Sequence, residues 1–355
     1  DSFDRTWSER SSGSESVVVN TPIHLISENM KRYISLLFTG VLLFASCQHD
    51  VIYEVDYNIT LDEENTYYAG EPVKFNITGD VDNLLFYSGE TGAQYVYKDR
   101  YEVPVEDVLS ANLHLDIRGR YGYIADYEAL EIWVSKEFTG INGSNDPDGD
   151  RAKIKEIVDA GMPGWTKLDF KDVNKDQWFG YDFPMTDYLS NLCIAFHWRP
   201  KDPELTQRTY WINGKISLEM AGTEPSEMRL TDLGFKSLMM NEEVDAYKKN
   251  AGNGSIRFDN ATNAGEICYQ GCSGKVLTYA IDGWVFTTPR PLNKVANDRG
   301  IVVKNLQNYI HEYVYTWKEP GTYEVVFVGR NENHLSSSEQ IHKYTITILE
   351  KPAVE

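Results

Sequence analysis

The chain has 355 residues, of which 41% are hydrophobic and 13% aromatic, a composition that marks a folded protein and excludes a disordered one. Fifty-four acidic against 34 basic residues give a net charge of −20 and a pI near 4.8. Such a balance repels a polyanion such as DNA, and it leaves neutral or basic ligands open.

In chain order, the first feature is a Ser-rich stretch without hydrophobic period, including "SERSSGSES", over residues 1–29. After it comes "MKRYISLLFTGVLLFASC", in which Lys31 and Arg32 precede an apolar run from Tyr33 to Phe44 and the small pair Ala45-Ser46. That run is too short for a bilayer span, which takes roughly 20 residues, and it has the parts of an export signal. Its end resembles a lipobox with Phe44 in the place where Leu is usual. The resemblance implies a bacterial lipoprotein, acylated at Cys47, with 1–29 read as upstream of the true start, 30–46 as the signal peptide and 47–54 as a tether. The expected mature chain is 47–355, held to a membrane by acyl chains.

Beyond residue 56, most of the chain predicts short strands. "PVKFNIT", "LHLDIRG", "LEIWVS", "LCIAFHW", "YWINGKISLEM", "KVLTYAI", "YEVVFVG" and "KYTITIL" alternate or run apolar between Gly, Asn, Asp and Pro. Helix is predicted over "RAKIKEIVDAG", with Ile154, Ile157 and Val158 on one face and Gly161 as a stop, and a weaker helical signal lies in "NEEVDAYKKN". The fold class is therefore all-β.

Among the cysteines, Cys193 lies in an apolar run and reads as a buried small hydrophobe. Cys268 and Cys272 in "CYQGC" form a possible disulfide across the turn that Gly271 allows. A zinc site would need two more ligands nearby, and none is evident. The sequons at Asn58, Asn76, Asn142, Asn253 and Asn260 are read as chance beside a bacterial export signal.

Two distant stretches carry a resemblance. "YYAGEPVKFNITGDVDNLLFYSGETG" is similar to the opening of a polycystic-kidney-disease (PKD) type immunoglobulin-like domain, and "YVYTWKEPGTYEVVFVGRNEN" is similar to the closing hairpin of that domain. Either half alone leaves an open sheet edge and an uncovered apolar face. The expectation is one discontinuous PKD-like sandwich of residues 55–108 plus 309–350, with 109–308 inserted; the alternative is two separate small domains. Within the insert, "LEIWVSKEFTG", "WTKLDF", "YLSNLCIAFHW", "TQRTYWINGKISLEM" and "DGWVFTTP" resemble galactose-binding-like jelly rolls of surface lipoproteins from gut Bacteroidetes. Together the pieces resemble an uncharacterised lipoprotein family of those bacteria grouped with polysaccharide-utilisation systems of the starch-utilisation type. The resemblance implies a glycan ligand, an outer-membrane importer as partner and a lipid anchor on the outer membrane.

For chemistry, no Gly-x-Ser-x-Gly elbow, His-Glu-x-x-His helix, phosphate-cradling Gly loop or Cys-His dyad appears, and acidic pairs are too common here to point to a glycosidase. His197, beside Trp198, reads as packed at a strand end. An enzyme is not expected.

Aromatics point instead to binding, because sugar C–H faces pack on Trp and Tyr rings while hydroxyls reach nearby polar groups. "KDQWFGYDFP" sets Trp178, Phe179, Tyr181 and Phe183 in a polar, Gly-broken segment read as a loop, with Trp178, Phe179 and Tyr181 as the leading ligand-binding candidates. The competing possibility is that two of these rings plug the end of the sandwich. Trp198, in Trp198-Arg199-Pro200, and the pair Tyr210-Trp211 are weaker candidates, since strand alternation sends one member of each aromatic pair inward. Trp133, Trp165, Trp284 and Trp317 are assigned to cores.

"NGSNDPDGD" concentrates Asn145, Asp146, Asp148 and Asp150 and allows a structural calcium, such as jelly-roll carbohydrate modules often carry. The other reading is an Asx-rich turn capping the helix that starts near Arg151. No cofactor is required. The reading reached from sequence is a non-catalytic surface lipoprotein that binds a poly- or oligosaccharide, with a structural or adhesive protein as the alternative and a carbohydrate-active enzyme third.

Overall fold

The computed structural model describes residues 52–61, 66–121, 129–171, 176–199, 208–241, 255–259, 266–271 and 281–352. The export segment with Cys47, the second cysteine Cys272, the stretch 242–250 and most of "KVLTYAI" lie outside the described residues.

In chain order the strands are β1 (Asp56–Thr60), β2 (Tyr67–Tyr68), β3 (Val73–Asp80), β4 (Asn83–Tyr87), β5 (Val108–Arg120), β6 (Leu130–Ser135), β7 (Thr166–Leu168), β8 (Trp178–Pro184), β9 (Cys193–Trp198) and β10 (Thr209–Met220). They continue as β11 (Ser226–Arg229), β12 (Phe235–Met239), β13 (Ser255–Asp259), β14 (Glu266–Gln270), β15 (Gly283–Thr287), β16 (Ile301–Lys304), β17 (Glu312–Tyr315), β18 (Gly321–Glu332) and β19 (Ser337–Leu349), with one described α-helix, α1 (Pro147–Asp159). Among the described residues strand is 50% and helix 12%, so the protein is an all-β sandwich protein.

The first sandwich is built from both ends of the described chain. One sheet has the order β1-β3-β17 and the other β16-β4-β18-β19-β2. Strand β3 alternates, burying Val73, Phe75 and Ile77 while Lys74 and Thr78 face out. These side chains meet Phe86 of β4, Trp317, and Val325 and Phe327 of β18 in one core. The rings pack edge-on or tilted, with Phe75–Phe327 at 5.1 Å and Phe86–Phe327 at 5.0 Å. Trp317 is fully buried, and its Nε1 donates to Ser88 O at 3.1 Å, so its one polar group is satisfied. Burial of each such ring stabilises the fold by about 1.5–3 kcal/mol. Strand β1 is held by Tyr57, whose ring lies over Gly329 of β18. A Cβ on Gly329 would sit 2.3 Å from Tyr57 Cε1, and Tyr57 Oη lies 3.0 Å from Phe327 O and 3.1 Å from Gln340 O. Only the missing side chain at Gly329 lets this ring reach its acceptors. The returning half begins at Ile301 of β16, which pairs with β4, rather than at Tyr309.

The second sandwich lies between those halves. Its sheets are β13-β14-β10-β5-β8, with β11 also on β10, and β12-β15-β9-β6-β7. Long strands β5 and β10 pair over most of their length. Their alternation sends Ala111, Leu113, Leu115 and Ile117, and Ile212, Ile216 and Leu218, into the core against Ile132, Val134, Ile194 and Phe196.

The outer face of the five-stranded sheet is covered by α1. Asp146 caps it by accepting from Gly149 N at 3.0 Å, and Pro147 starts it where a missing N–H costs nothing. Ile154 packs on Ala195, Leu238, Trp284 and Phe286, with Ile157 and Val158 alongside. Cys193 is buried beneath, and burial pushes its thiol up to about 12, with Thr287 O accepting from Sγ at 3.3 Å. On the outer face of the six-stranded sheet, no described hydrophobic cluster packs.

The two connections between the sandwiches run side by side. Val103 N donates to Asn293 O at 2.9 Å, Val295 N to Tyr101 O at 3.1 Å, Asp298 N to Tyr97 O at 3.1 Å and Arg299 N to Gly92 O at 3.2 Å. Arg100, stacked on Tyr97 at 3.7 Å, reaches Asp298 there beside a cleft of about 300 Å³. Among the described residues no helix is long and apolar enough to cross a membrane.

Candidate ligand-binding face

The outer face of the six-stranded sheet is organised in rows by strand register. Trp178 of β8 stands opposite Arg118 of β5, which stands opposite Trp211 of β10, itself opposite Cys268 of β14. The next row is Gly180, Asp116 and Asn213, and the one after is Asp182, His114 and Lys215. These residues share the parity opposite to the buried Leu113, Leu115, Ile117, Ile212 and Ile216, so they point to the outer side of the sheet, where Cys268 at the β14 end is itself buried. Two strand spacings separate Trp178 from Trp211, roughly 10 Å. Trp178 is 38% exposed, Trp211 is half-buried, and the Arg118 guanidinium lies 5.1 Å from the Trp211 ring centroid.

Gly180 has a definite part in this surface. A Cβ there would lie 2.9 Å from His114 Cε1 and 3.4 Å from Asp116 Oδ1, so the glycine leaves room for the imidazole on the neighbouring strand. His114 Nδ1 is 2.8 Å from Asp182 Oδ1 and Nε2 is 3.4 Å from Asp116 Oδ1. The hydrogen bond to Asp182 raises the His114 pKa above its ordinary value, with Asp116 adding to the effect against partial burial. Asp176 takes Arg118 Nε at 2.7 Å and Arg120 Nε at 2.9 Å, and the Arg118 hydrogen bond holds its carboxyl below the usual range. A flat surface of rings beside amide, imidazole, carboxylate and guanidinium groups can stack an apolar face and hydrogen-bond polar substituents around it.

Several expectations from sequence are corrected here. "WFGYDFP" is an edge strand rather than a loop. Phe179, Tyr181 and Phe183 share one face and Trp178 and Asp182 the other, with Tyr181 and Phe183 packed at the edge of the core. Tyr181 lies edge-on to Phe170 at 5.7 Å and its Oη donates to Lys171 O, so Phe179 and Tyr181 do not belong to the exposed face. Trp198 is 0% and Tyr210 1% exposed, both in the sandwich core, because they share strand parity with Ile194 and Phe196, and with Ile212 and Ile216. Of the pair Tyr210-Trp211, whose inward member the sequence left open, Trp211 is the outward one. The parity of the apolar residues after it was the available signal.

The Asx-rich loop uses its side chains locally. Asp146 caps α1, Asp148 pairs with Arg151 at 2.6 Å, and buried Asp150 accepts from Asn142 N at 2.9 Å and Gly143 N at 2.6 Å, while Asn145 ends a 3₁₀ turn. Among the described residues no group of three His, Cys, Asp or Glu side chains is placed to hold a metal. Cys268 is 2% exposed, and its proposed partner Cys272 lies outside the described residues.

A second polar cluster sits on the other sheet. His197 is 5% exposed, stacks on Trp284 at 3.8 Å, and lies between Glu131 Oε2 at 3.3 Å and Asp282 Oδ1 at 2.8 Å. Lys167 Nζ completes it at 3.0 Å from Glu131 Oε1.

In comparison with known proteins, residues 46–154 match a family described as a domain of unknown function, DUF5017. The match spans the opening of the first sandwich, β5, β6 and the first part of α1. No curated protein and no solved structure matches the chain.

Proposed function

We propose that this chain is a non-catalytic, lipid-anchored outer-membrane protein that binds a poly- or oligosaccharide and passes it to an importer of the starch-utilisation type. The observation that carries the reading is the row Trp178–Arg118–Trp211 on an open sheet face, with Asp116, Asn213 and His114 in the rows beside it. Two rings about 10 Å apart suit consecutive units of a sugar chain lying across the strands, and the polar rows suit its hydroxyls. Binding needs only this rigid surface and no reacting group. The anchor rests on the pattern from Lys31 to Cys47. A fatty-acid label that marks the wild type and not Cys47→Ser supports it. A glycan array with the purified chain tests the ligand: sugar-specific signal that disappears in Trp178→Ala supports the reading, whereas release of reducing sugar speaks for an enzyme and absence of signal on every glycan speaks against it.

A further inference from the structure

We infer that the same face takes a short glycan bearing one anionic group, a carboxylate or a sulfate ester, seated at the Arg118–Arg120 end; this rests on the glycan reading above. At that end two guanidiniums share one carboxylate, Arg118 Nε on one oxygen of Asp176 and Arg120 Nε on the other. Neither arginine's Nη atoms make a hydrogen bond to a described residue. Each guanidinium lies over a ring, Arg118 over Trp211 at 5.1 Å and Arg120 over Tyr121 at 4.5 Å. With Nε held by Asp176, the Nη atoms remain to read a carboxylate or sulfate, which a guanidinium does with two parallel hydrogen bonds. The side chains are 30% and 42% exposed, so a ligand can reach them.

Charge narrows the ligand further. The Arg118 and Arg120 guanidiniums hold the single carboxylate of Asp176 between them, and the Glu266 carboxylate acts on Arg118 from farther off. This exposed arginine pair belongs to a chain of net charge −20. A long polyanion is repelled by the whole, while a short chain with one acidic substituent meets mainly the arginine corner.

The test uses the purified full chain and oligosaccharides of matched length carrying one uronate unit, one sulfate ester or no charge. Asp176→Asn removes the competing carboxylate, so acidic glycans should bind about tenfold tighter and neutral ones unchanged. Arg118→Gln and Arg120→Gln should each weaken acidic glycans by about tenfold. Response to uronates alone or sulfates alone identifies the anion. If neutral glycans bind through Trp178 and Trp211, with no preference for acids and no gain in Asp176→Asn, the inference is overturned and the platform stands. If no glycan binds, both fall. Melting curves verify that each variant is folded.

Discussion

Asp282→Asn keeps the shape around His197 and removes one of the two carboxylates that hold its proton. Burial on its own would lower the pKa of this imidazole, but the hydrogen bonds to Asp282 and Glu131 prevail and raise it above its ordinary value. A raised folded value means that the contribution of the imidazolium to stability is fully present below the unfolded pKa of about 6.5 and is lost as pH rises through the folded value. Glu131 runs the other way. The hydrogen bond from His197, with Lys167 behind it, overcomes burial and lowers its pKa from 4.5 to about 2. Its contribution is present above about pH 4.3 and lost as pH falls toward the folded value. At about 1.4 kcal/mol per pH unit the Glu131 shift is an upper bound of about 3 kcal/mol. With this side chain 31% exposed, solvent screening brings it to about 1–2 kcal/mol. The network is thus strongest between roughly pH 4.5 and 6.5. Urea denaturation should show Asp282→Asn losing about 2 kcal/mol near pH 5.5 and clearly less at an alkaline pH beyond the raised folded value, once the native imidazole has given up its charge. An equal loss at both pH values, or none, would refute the reasoning.

The packing sets other outcomes. Gly329→Ala drives a Cβ into the Tyr57 ring and should cost about 2–4 kcal/mol, since both the ring and its hydrogen bonds must shift; an unchanged denaturation midpoint contradicts the account of β1. Trp198→Ala should cost about 3–5 kcal/mol as a core cavity, and Trp178→Ala less than about 1 kcal/mol, so comparable losses would contradict the assignment of inward and outward faces. Asp150→Asn should cost about 1–3 kcal/mol through the N–H groups of Asn142 and Gly143. A chelator should leave the wild-type melting midpoint unchanged; a downward shift would show that the Asx loop holds a cation.

The features legible in the sequence were local. The strand patterns in "PVKFNIT" and "YEVVFVG" and the apolar stripe Ile154, Ile157 and Val158 of α1 depend on neighbours a few residues away, and those neighbours decide which side is buried. The same alternation could have assigned the aromatics. Tyr210 shares parity with Ile212 and Ile216, and Trp198 with Ile194 and Phe196, so both belonged to the core and Trp211 to the surface. "WFGYDFP" misled because Gly180 and Pro184 look like loop residues. On the edge strand β8, Gly180 is required by His114 across the ladder, and Pro184 sits at the last position. The rows of the open face, the shared Asp176 and the contact of His197 with Asp282 depend on register between strands far apart in sequence, which no local pattern encodes.

The central claim is that the open sheet face, rather than the tip of a loop, is where ligand binds, and Trp211 tests it because it lies on β10, far along the chain from Trp178. Take a glycan that binds the wild type and measure its affinity calorimetrically for Trp211→Ala, with thermal melting as the control for folding. Loss of one stacked ring removes about 1.5–3 kcal/mol, so affinity should fall roughly ten- to hundredfold, as it should for Trp178→Ala. If Trp178→Ala abolishes binding while folded Trp211→Ala binds like the wild type, the ligand does not span the row and the account of the site is wrong.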